Sequence, residues 1–165
     1  WIFDVQDPLA EMVDVPALNE YFGWYYSGGL ALVLPWSSHH MRRVMLDGME
    51  KIEIRTPPGK PLIVSELGAG AKSGMHAPVE NLVAYSEEYQ ALVYEKQLAM
   101  LARQPQLRGL SPWVLKDFRA PLRMYQGVQD YWNRKGLVSD KGEKKKAFFV
   151  LRDHYAAGWP GTSAP

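Results

Sequence analysis

The sequence has 165 residues, of which 47% are hydrophobic and 12% aromatic, enough apolar material for one core of ordinary domain size. Its 19 Lys and Arg residues nearly balance 18 Asp and Glu residues, and the net charge of +1 argues against nucleic acid or an anionic membrane as a partner. The absence of cysteine excludes a disulfide framework, a thiolate metal site and a cysteine nucleophile, and leaves the cellular compartment open.

The start of the sequence and its apolar runs give two further expectations. Trp1 stands where a complete protein would have Met, and the residues after it lack the features of a signal peptide, so we expect a piece of a longer protein. The longest apolar run, Leu30 to Trp36, contains Pro35 and is far shorter than the ~20 residues of a membrane-spanning helix. We therefore expect no membrane segment.

The first part of the chain predicts a strand and then a helix. Asp14 to Tyr21 predicts a short buried strand, followed by an aromatic, glycine-bearing loop over 22–29. Apolar residues then recur at helical spacing, and Ser37 or Ser38 can cap the helix start. These apolar residues are Met41, Val44, Met45, Met49 and Ile52. The pattern predicts an amphipathic helix from about Ser38 to Arg55.

A second strand and helix follow. Pro61 to Glu66 predicts an apolar strand that ends in a carboxylate, and the glycines at 68 and 70 begin a long loop. Ser86 can cap the next helix, and the acidic residues that follow it suit the positive end of the helix dipole. Its predicted buried face consists of Tyr89, Leu92, Val93 and Met100, and the helix ends near Gln104.

The last third of the chain predicts another strand and helix. Gly109 to Phe118 predicts the strand, with a loop containing Asn133 after it. Glu143 to Tyr155 predicts a helix that buries Phe148, Leu151 and Tyr155, and the tail beyond Gly158 is expected to be loosely ordered.

Three strands that alternate with three helices, with no hairpin signal, indicate the α/β class and a parallel sheet. The loops that follow the strands, 19–25, 66–76 and 113–133, carry most of the unusual polar and aromatic residues. A β/α barrel places its active site in such loops.

Glu66 is the first candidate for chemistry. A Glu that closes an apolar strand and precedes glycines is rigidly held and still accessible, which suits attack on an anomeric carbon. The alternative is a solvent-facing Glu that only ends a strand.

Six stretches of the sequence carry a family resemblance. They are Leu18 to Tyr25, Lys60 to Glu66, Gly74 to His76, Ser86 to Gln90, Gly109 to Phe118 and Asn133 to Gly136. In this order they resemble glycoside hydrolase family 2, and especially its members that cleave β-glucuronides. The resemblance covers nearly the whole chain. It implies that residues 1–157 are the C-terminal part of a (β/α)8 TIM barrel, about strands six to eight with their helices, and that 158–165 form a flexible tail.

The resemblance also implies a retaining β-glycosidase with Glu66 as its catalytic nucleophile. Leu67 departs from the Tyr usual after that Glu, which removes one hydrogen bond expected to orient the nucleophile. The second carboxyl group of the family closes an Asn-Glu-Pro motif on the fourth strand, whereas Asn19 and Glu20 match the sixth strand. The acid/base residue is therefore expected upstream, and the fragment alone is expected to be inactive.

The same resemblance implies a sugar site. Asn133 and Lys135 match the Asn-x-Lys pattern that binds a sugar carboxylate, and an amide and an ammonium group one residue apart can both reach one anion. A plain polar turn is the alternative. The positions that match the lining of the sugar subsite are Asn19, Tyr21, Tyr25 and Trp113. We expect a carbohydrate substrate, most specifically a β-glucuronide.

Neither a metal nor another cofactor is expected. His39 and His40 are expected on a helix surface, and His76 at the rim of the pocket. The basic cluster formed by Lys141, Lys144, Lys145 and Lys146 is expected to be a solvated helix start.

Two alternatives stay open from the sequence. One is a β-galactosidase of the same family, and the other is a non-catalytic truncated fragment. The sequence upstream would separate them, because it either contains the Asn-Glu-Pro strand end or lacks it. The residues do not settle the oligomeric state of the parent protein, for which a homo-oligomer is one option.

Overall fold

A computed structural model describes residues 1–5, 7–25 and 38–158. Its strands are β1 (Ile2–Asp4), β2 (Ala17–Asn19), β3 (Glu53–Arg55), β4 (Leu62–Leu67), β5 (Leu107–Pro112), β6 (Phe118–Arg119) and β7 (Trp132–Asn133). Its α-helices are α1 (Pro8–Met12), α2 (Ser38–Gly48), α3 (Glu87–Leu101) and α4 (Lys146–Ala156). The mixed α/β class predicted from the sequence is confirmed.

The main sheet is parallel and has β4 at its centre, in the order β2-β4-β5. Leu62, Val64 and Leu67 are fully buried in one core cluster with residues of α3 and α4, which also pack on each other. Ile63 is 38% exposed. Since neighbouring side chains of a strand point to opposite faces, the helices cover the face of Leu62 and Val64 and leave the face of Ile63 open to solvent. Leu67 joins the same core after a register shift beyond Val64.

The two predicted helices of the second half are present. Ser86 caps α3 as predicted, because its hydroxyl accepts a hydrogen bond from the Tyr89 amide at 3.2 Å. The last helix begins at Lys146 rather than near Glu143. Tyr155, predicted to be buried, is 51% exposed.

The predicted helix from Ser38 to Arg55 is too long. It ends at Gly48, a short 3-10 turn follows over Met49–Lys51, and Glu53–Arg55 forms β3, which pairs in parallel with β1. Ile54 is buried on this strand, and its amide donates to the side-chain oxygen of Gln104 at 3.0 Å. Glycine is a poor helix former, and the alternation of buried and exposed residues after it is that of a strand.

Two predicted strands also differ from the structure. The first is shorter than the predicted Asp14 to Tyr21, since β2 covers Ala17–Asn19. The third ends at Pro112, and Phe118–Arg119 instead forms an antiparallel pair with Trp132–Asn133. This pair has no hairpin signal in the sequence, because its connection, residues 120–131, is far longer than a two-residue turn.

The remaining expectations concern surfaces. His39 and His40 are exposed on α2 as expected, whereas Lys145, expected in solvent, is completely buried. No helix in the described ranges is long and apolar enough to cross a membrane. The apolar run Leu30 to Trp36 and the tail after Gly158 lie outside the described residues.

Candidate active site

The carboxyl ends of the three parallel strands bring three predicted site residues to one edge of the sheet. Asn19 pairs with Glu66, and the Glu20 amide donates to the Glu66 carbonyl at 2.7 Å. On the other side of β4, the Trp113 amide donates to the Leu67 carbonyl at 2.9 Å. Asn19, Glu66 and Trp113 therefore stand at neighbouring strand ends, as the parallel arrangement requires.

Glu66 is half-buried and is held by a tyrosine from the loop after β2. The Tyr21 hydroxyl donates a hydrogen bond to Glu66 Oε2 at 2.7 Å. Burial raises the pKa of Tyr21 and the bond to the Glu66 carboxylate raises it further, so the phenol remains a donor. Beside it, Ser65 donates to Asn19 Oδ1 at 2.8 Å.

The turn after Glu66 depends on glycine. Gly68 has a φ of 135°, and a Cβ there would collide with the Tyr94 hydroxyl, which packs against the turn. The chain can therefore turn directly after Leu67, the last residue of β4, so that Glu66 lies close to the end of the strand.

Lys135 lies next to the same group of tyrosines. Its Nζ donates to the Tyr25 hydroxyl and lies 4.3 Å from the Tyr25 ring centre and 5.1 Å from that of Tyr21. The Tyr21 and Tyr25 rings meet edge to face at 5.0 Å. Asn133 Oδ1 accepts a hydrogen bond from the Lys135 amide at 3.1 Å. A continuous set of contacts thus joins Glu66 to Asn133 through Tyr21, Tyr25 and Lys135.

The charges in this set influence each other. Burial lowers the pKa of Lys135, although the hydrogen bond to Tyr25 and the charge of Glu66 oppose that effect. Burial raises the pKa of Tyr25, but the hydrogen bonds and positive charges of Lys135 and Arg123 outweigh burial and lower it overall.

A buried ion pair holds the segment that carries Asn133 and Lys135. Lys145 Nζ donates to Asp117 Oδ1 at 2.8 Å, to the Ala71 carbonyl at 2.6 Å and to the Arg134 carbonyl at 3.2 Å. Asp117 Oδ1 also accepts from the Gly136 amide at 2.8 Å. Gly136 has no room for a Cβ because Asp117 fills that space. The backbone on both sides of Lys135 is thereby fixed.

A pocket of about 350 Å³ opens beside Lys135. It is lined by Trp24, Tyr25, Arg42, Gly70, Ala84, Tyr85, Tyr89, Arg123, Gln129, Asn133, Arg134 and Lys135. Of the predicted site residues, Tyr25, Asn133 and Lys135 belong to the lining, whereas Asn19, Tyr21, Glu66 and Trp113 do not. His76, expected at the rim, is also absent from it and instead lies 2.9 Å from Glu88.

The described residues do not place a second carboxyl group in hydrogen-bond contact with Glu66. Glu20 is adjacent in the sheet, but its side chain is 1% exposed and accepts hydrogen bonds from the Phe22 amide and from Gln97. Burial raises the pKa of Glu20 to about 8. Within the described ranges, no group of three or more His, Asp or Glu side chains could hold a metal ion.

Sequence reasoning missed three residues near the site. Arg123 lines the pocket, and Asp117 and Lys145 form the ion pair under the Asn133 segment. Asp117 lies in the predicted strand Gly109 to Phe118 and Lys145 in the basic cluster, and neither position indicated an ion pair. Arg123 lies among uncharged residues and Lys145 in a run of lysines that resembles ordinary surface, and their partners are distant in sequence.

Comparison with known proteins shows which sequences this chain is similar to. No protein-family model matches the chain. Curated relatives do match, and the β-glucuronidase of Streptococcus agalactiae is 32% identical over 141 residues, which are 86% of this chain and 21% of the relative. The Mus musculus β-glucuronidase is 32% identical over 152 residues, 88% of this chain and 21% of the relative. The chain thus spans about a fifth of the length of the curated relatives it matches.

Solved structures agree with the sequence relatives. A family 2 β-galacturonidase from Eisenbergiella tayi, bound to galacturonate, is 26% identical with a TM-score of 0.62. The matched region is 87% of this chain and 24% of the galacturonidase chain. The Bifidobacterium dentium β-glucuronidase, complexed with coumarin-3-O-glucuronide, is 28% identical with a TM-score of 0.62. The matched region is 94% of this chain and 23% of the glucuronidase chain. These matches confirm the resemblance to glycoside hydrolase family 2 that the sequence motifs predicted.

Proposed function

We propose that the full-length protein carrying this chain is a retaining β-glycosidase that hydrolyses β-glucuronides, with Glu66 as the nucleophile. The observation that carries the proposal is the contact set that runs from Glu66 through Tyr21 and Tyr25 to Lys135. It joins an accessible carboxylate, which can act as a nucleophile, to a cation beside an amide, which can bind the carboxylate of a sugar acid. The relatives named β-glucuronidase support the same activity.

In this mechanism Glu66 attacks the anomeric carbon while the bond from that carbon to the leaving oxygen breaks. The result is a glycosyl ester on Glu66, and a proton from a second carboxylic acid goes to the departing oxygen. The same second group then removes a proton from water, which attacks the anomeric carbon and releases Glu66. We assign the second group to a residue outside this chain, because Glu20 is buried among other partners.

The proposal includes the architecture. Residues 1–157 would contribute about strands six to eight of a (β/α)8 barrel, with β2, β4 and β5 as these strands, and 158–165 a flexible tail. The one-sided covering of the sheet supports this assignment, since parallel sheets are normally buried on both faces. In a barrel the open face that carries Ile63 would point into the packed interior.

Lys135 and Asn133 favour a uronic acid over a neutral sugar. A carboxylate on the sugar would give the Lys135 ammonium a charged partner, which a galactoside or glucoside does not supply. The E. tayi structure that holds galacturonate makes a β-galacturonide the second candidate substrate. Comparing p-nitrophenyl β-glucuronide with the matching galacturonide and galactoside would rank the three.

Replacement of the nucleophile tests the reaction type. Glu66→Gln in the full-length protein should lower kcat/KM for p-nitrophenyl β-glucuronide on the order of 10³-fold or more, because an amide cannot form the glycosyl ester. Glu95→Gln, which changes an exposed Glu on α3, is the matched control and should keep normal turnover. An activated 2-fluoro glycosyl fluoride should label the peptide that contains Glu66. Near-normal turnover of Glu66→Gln, or labelling of another residue, would contradict the proposal.

A further inference from the structure

Arg123 places a second cation beside Lys135. Its Nη2 donates to the Tyr25 hydroxyl at 3.4 Å, and Lys135 Nζ donates to the same hydroxyl. The two cations come from different segments of the chain. Arg123 lies in the connection between β6 and β7, and Lys135 follows β7. Because they share one acceptor atom, a single small anion can be reached by both.

The backbone of Arg123 is fixed, although its side chain is only half-buried. Its amide donates to the Ala120 carbonyl at 2.9 Å, and its carbonyl accepts from the Tyr131 amide at 2.8 Å. Lys72 binds the same connection by donating to the Gly127 carbonyl at 2.7 Å. The guanidinium therefore points to the pocket from an anchored loop.

No acidic side chain of the described residues pairs directly with these two cations, although the charge of Glu66 acts on Lys135 from a distance. Within the described ranges, the pocket lining contains no Asp or Glu. Arg134, another cation of the lining, differs because it pairs with Asp117 and Asp140. A neutral phenol such as Tyr25 accepts hydrogen bonds but cancels no charge. Two unpaired cations that converge in a pocket point to an anionic ligand.

We propose that Arg123 binds the carboxylate of the sugar together with Lys135 and is a specificity-determining residue. The inference rests on the proposed function and names a further residue of the same site. The planar fork of a guanidinium can bind one carboxylate oxygen while the ammonium binds the other. Recognition of the acid then requires both cations, held in place by Tyr25.

The test separates binding of the carboxylate from the chemistry at Glu66. In the full-length protein, Arg123→Gln should lower kcat/KM for p-nitrophenyl β-glucuronide by about tenfold to a hundredfold. It should leave unchanged the rate at which neutral 2-deoxy-2-fluoroglucosyl fluoride labels Glu66, because that reagent has no carboxylate. Arg119→Gln is the matched control, since Arg119 is exposed, stacks on Trp132 at 4.7 Å and does not line the pocket.

Three outcomes have distinct meanings. Selective loss of glucuronide cleavage in Arg123→Gln, with Arg119→Gln unchanged, supports the assignment. Equal loss of cleavage and of neutral labelling, or no loss at all, overturns the role of Arg123 and leaves the proposed function intact. A wild-type protein that is labelled at Glu66 but does not cleave any uronide would instead overturn the uronidase activity on which the inference rests.

Discussion

Tyr21 is the side chain that holds the proposed nucleophile in place. A carboxylate at a strand end can rotate, and a hydrogen bond at 2.7 Å to Oε2 fixes one of its oxygens. The other oxygen is then the one presented for attack. Since a hydrogen bond to a charged group contributes about 1.5–3 kcal/mol, this contact is large enough to affect the reaction rate.

Removal of that hydroxyl should affect the chemical step more than binding. Tyr21→Phe in the full-length protein keeps the ring packed on Tyr25 and should lower kcat by about tenfold to a hundredfold, with KM changed much less. Steady-state kinetics on an aryl β-glucuronide measures both values. Tyr131→Phe, at an exposed tyrosine, should behave as the wild type. A Tyr21→Phe protein that changes only KM would show that Tyr21 contacts the sugar and does not orient Glu66.

The sequence made Glu66 the candidate nucleophile but could not predict this hydrogen-bond partner. Leu67 lacks the hydroxyl that the family resemblance led us to expect, and it is fully buried in the core instead. The hydrogen bond comes from Tyr21, which lies 45 residues earlier in the chain. A contact across that separation depends on the parallel pairing of β2 with β4 and on its register. The hydrophobic periodicity of the two strands does not determine which residues pair.

The segment between β7 and α4 is organised by the ion pair of Asp117 and Lys145, whose side chains are both 0% exposed. Burial raises the pKa of Asp117 and lowers the pKa of Lys145, and the attraction between the two charges opposes both changes. The pair connects the start of α4 to the backbone of Arg134 and Gly136. The residues proposed to bind the sugar carboxylate are therefore carried by a segment that a buried ion pair fixes.

Loss of one partner of this ion pair should lower the stability of the protein, and replacement of the other partner as well should restore part of it. Lys145→Met leaves the buried Asp117 with only its longer contact to Arg134, at 3.4 Å, and should destabilise the protein by roughly 3–5 kcal/mol. The double variant Lys145→Met/Asp117→Asn should unfold at a higher temperature than Lys145→Met alone, because no buried charge is left unpaired. Calorimetry of the full-length variants measures these midpoints. Lys146→Met, which breaks a half-exposed pair with Glu88, should cost less than about 1 kcal/mol. Equal midpoints for Lys145→Met and Lys146→Met would contradict the role of the buried pair.

Helices with strong local signals were predictable, and elements that depend on distant partners were not. The start of α3 follows from Ser86 and the acids after it. The prediction of a helix through Arg55 was wrong because Met49 and Ile52 fit a helical spacing and are buried, although neither belongs to the helix. Both belong to the core cluster, in which the 3-10 turn Met49–Lys51 packs on α3. The strand β3 that follows pairs with β1, some 50 residues earlier in the chain.

The helices of the described residues cover only part of the β2-β4-β5 sheet. In the part of the chain that the structure describes, β2 and β5 each have one edge without a partner strand, and one face of β4 is open. The alternation of strands and helices and the parallel pairing could be predicted from the sequence, whereas the order of the strands came from the family resemblance alone. The extent of the uncovered surface could not be predicted, because a residue such as Ile63 looks like core in any apolar strand.

These 165 residues expressed alone should be poorly stable. An open parallel face and two free edges expose apolar groups and unpaired backbone donors to water, which the rest of a barrel would bury. We expect binding of a hydrophobic dye such as ANS, a broad thermal transition and concentration-dependent association, each measurable on the purified fragment. The full-length protein is the control and should unfold cooperatively without binding the dye. If the isolated chain is instead a monomer that unfolds in one sharp transition and binds no dye, then it buries its sheet by itself. The assignment of the chain as three strands of a larger barrel would then be wrong.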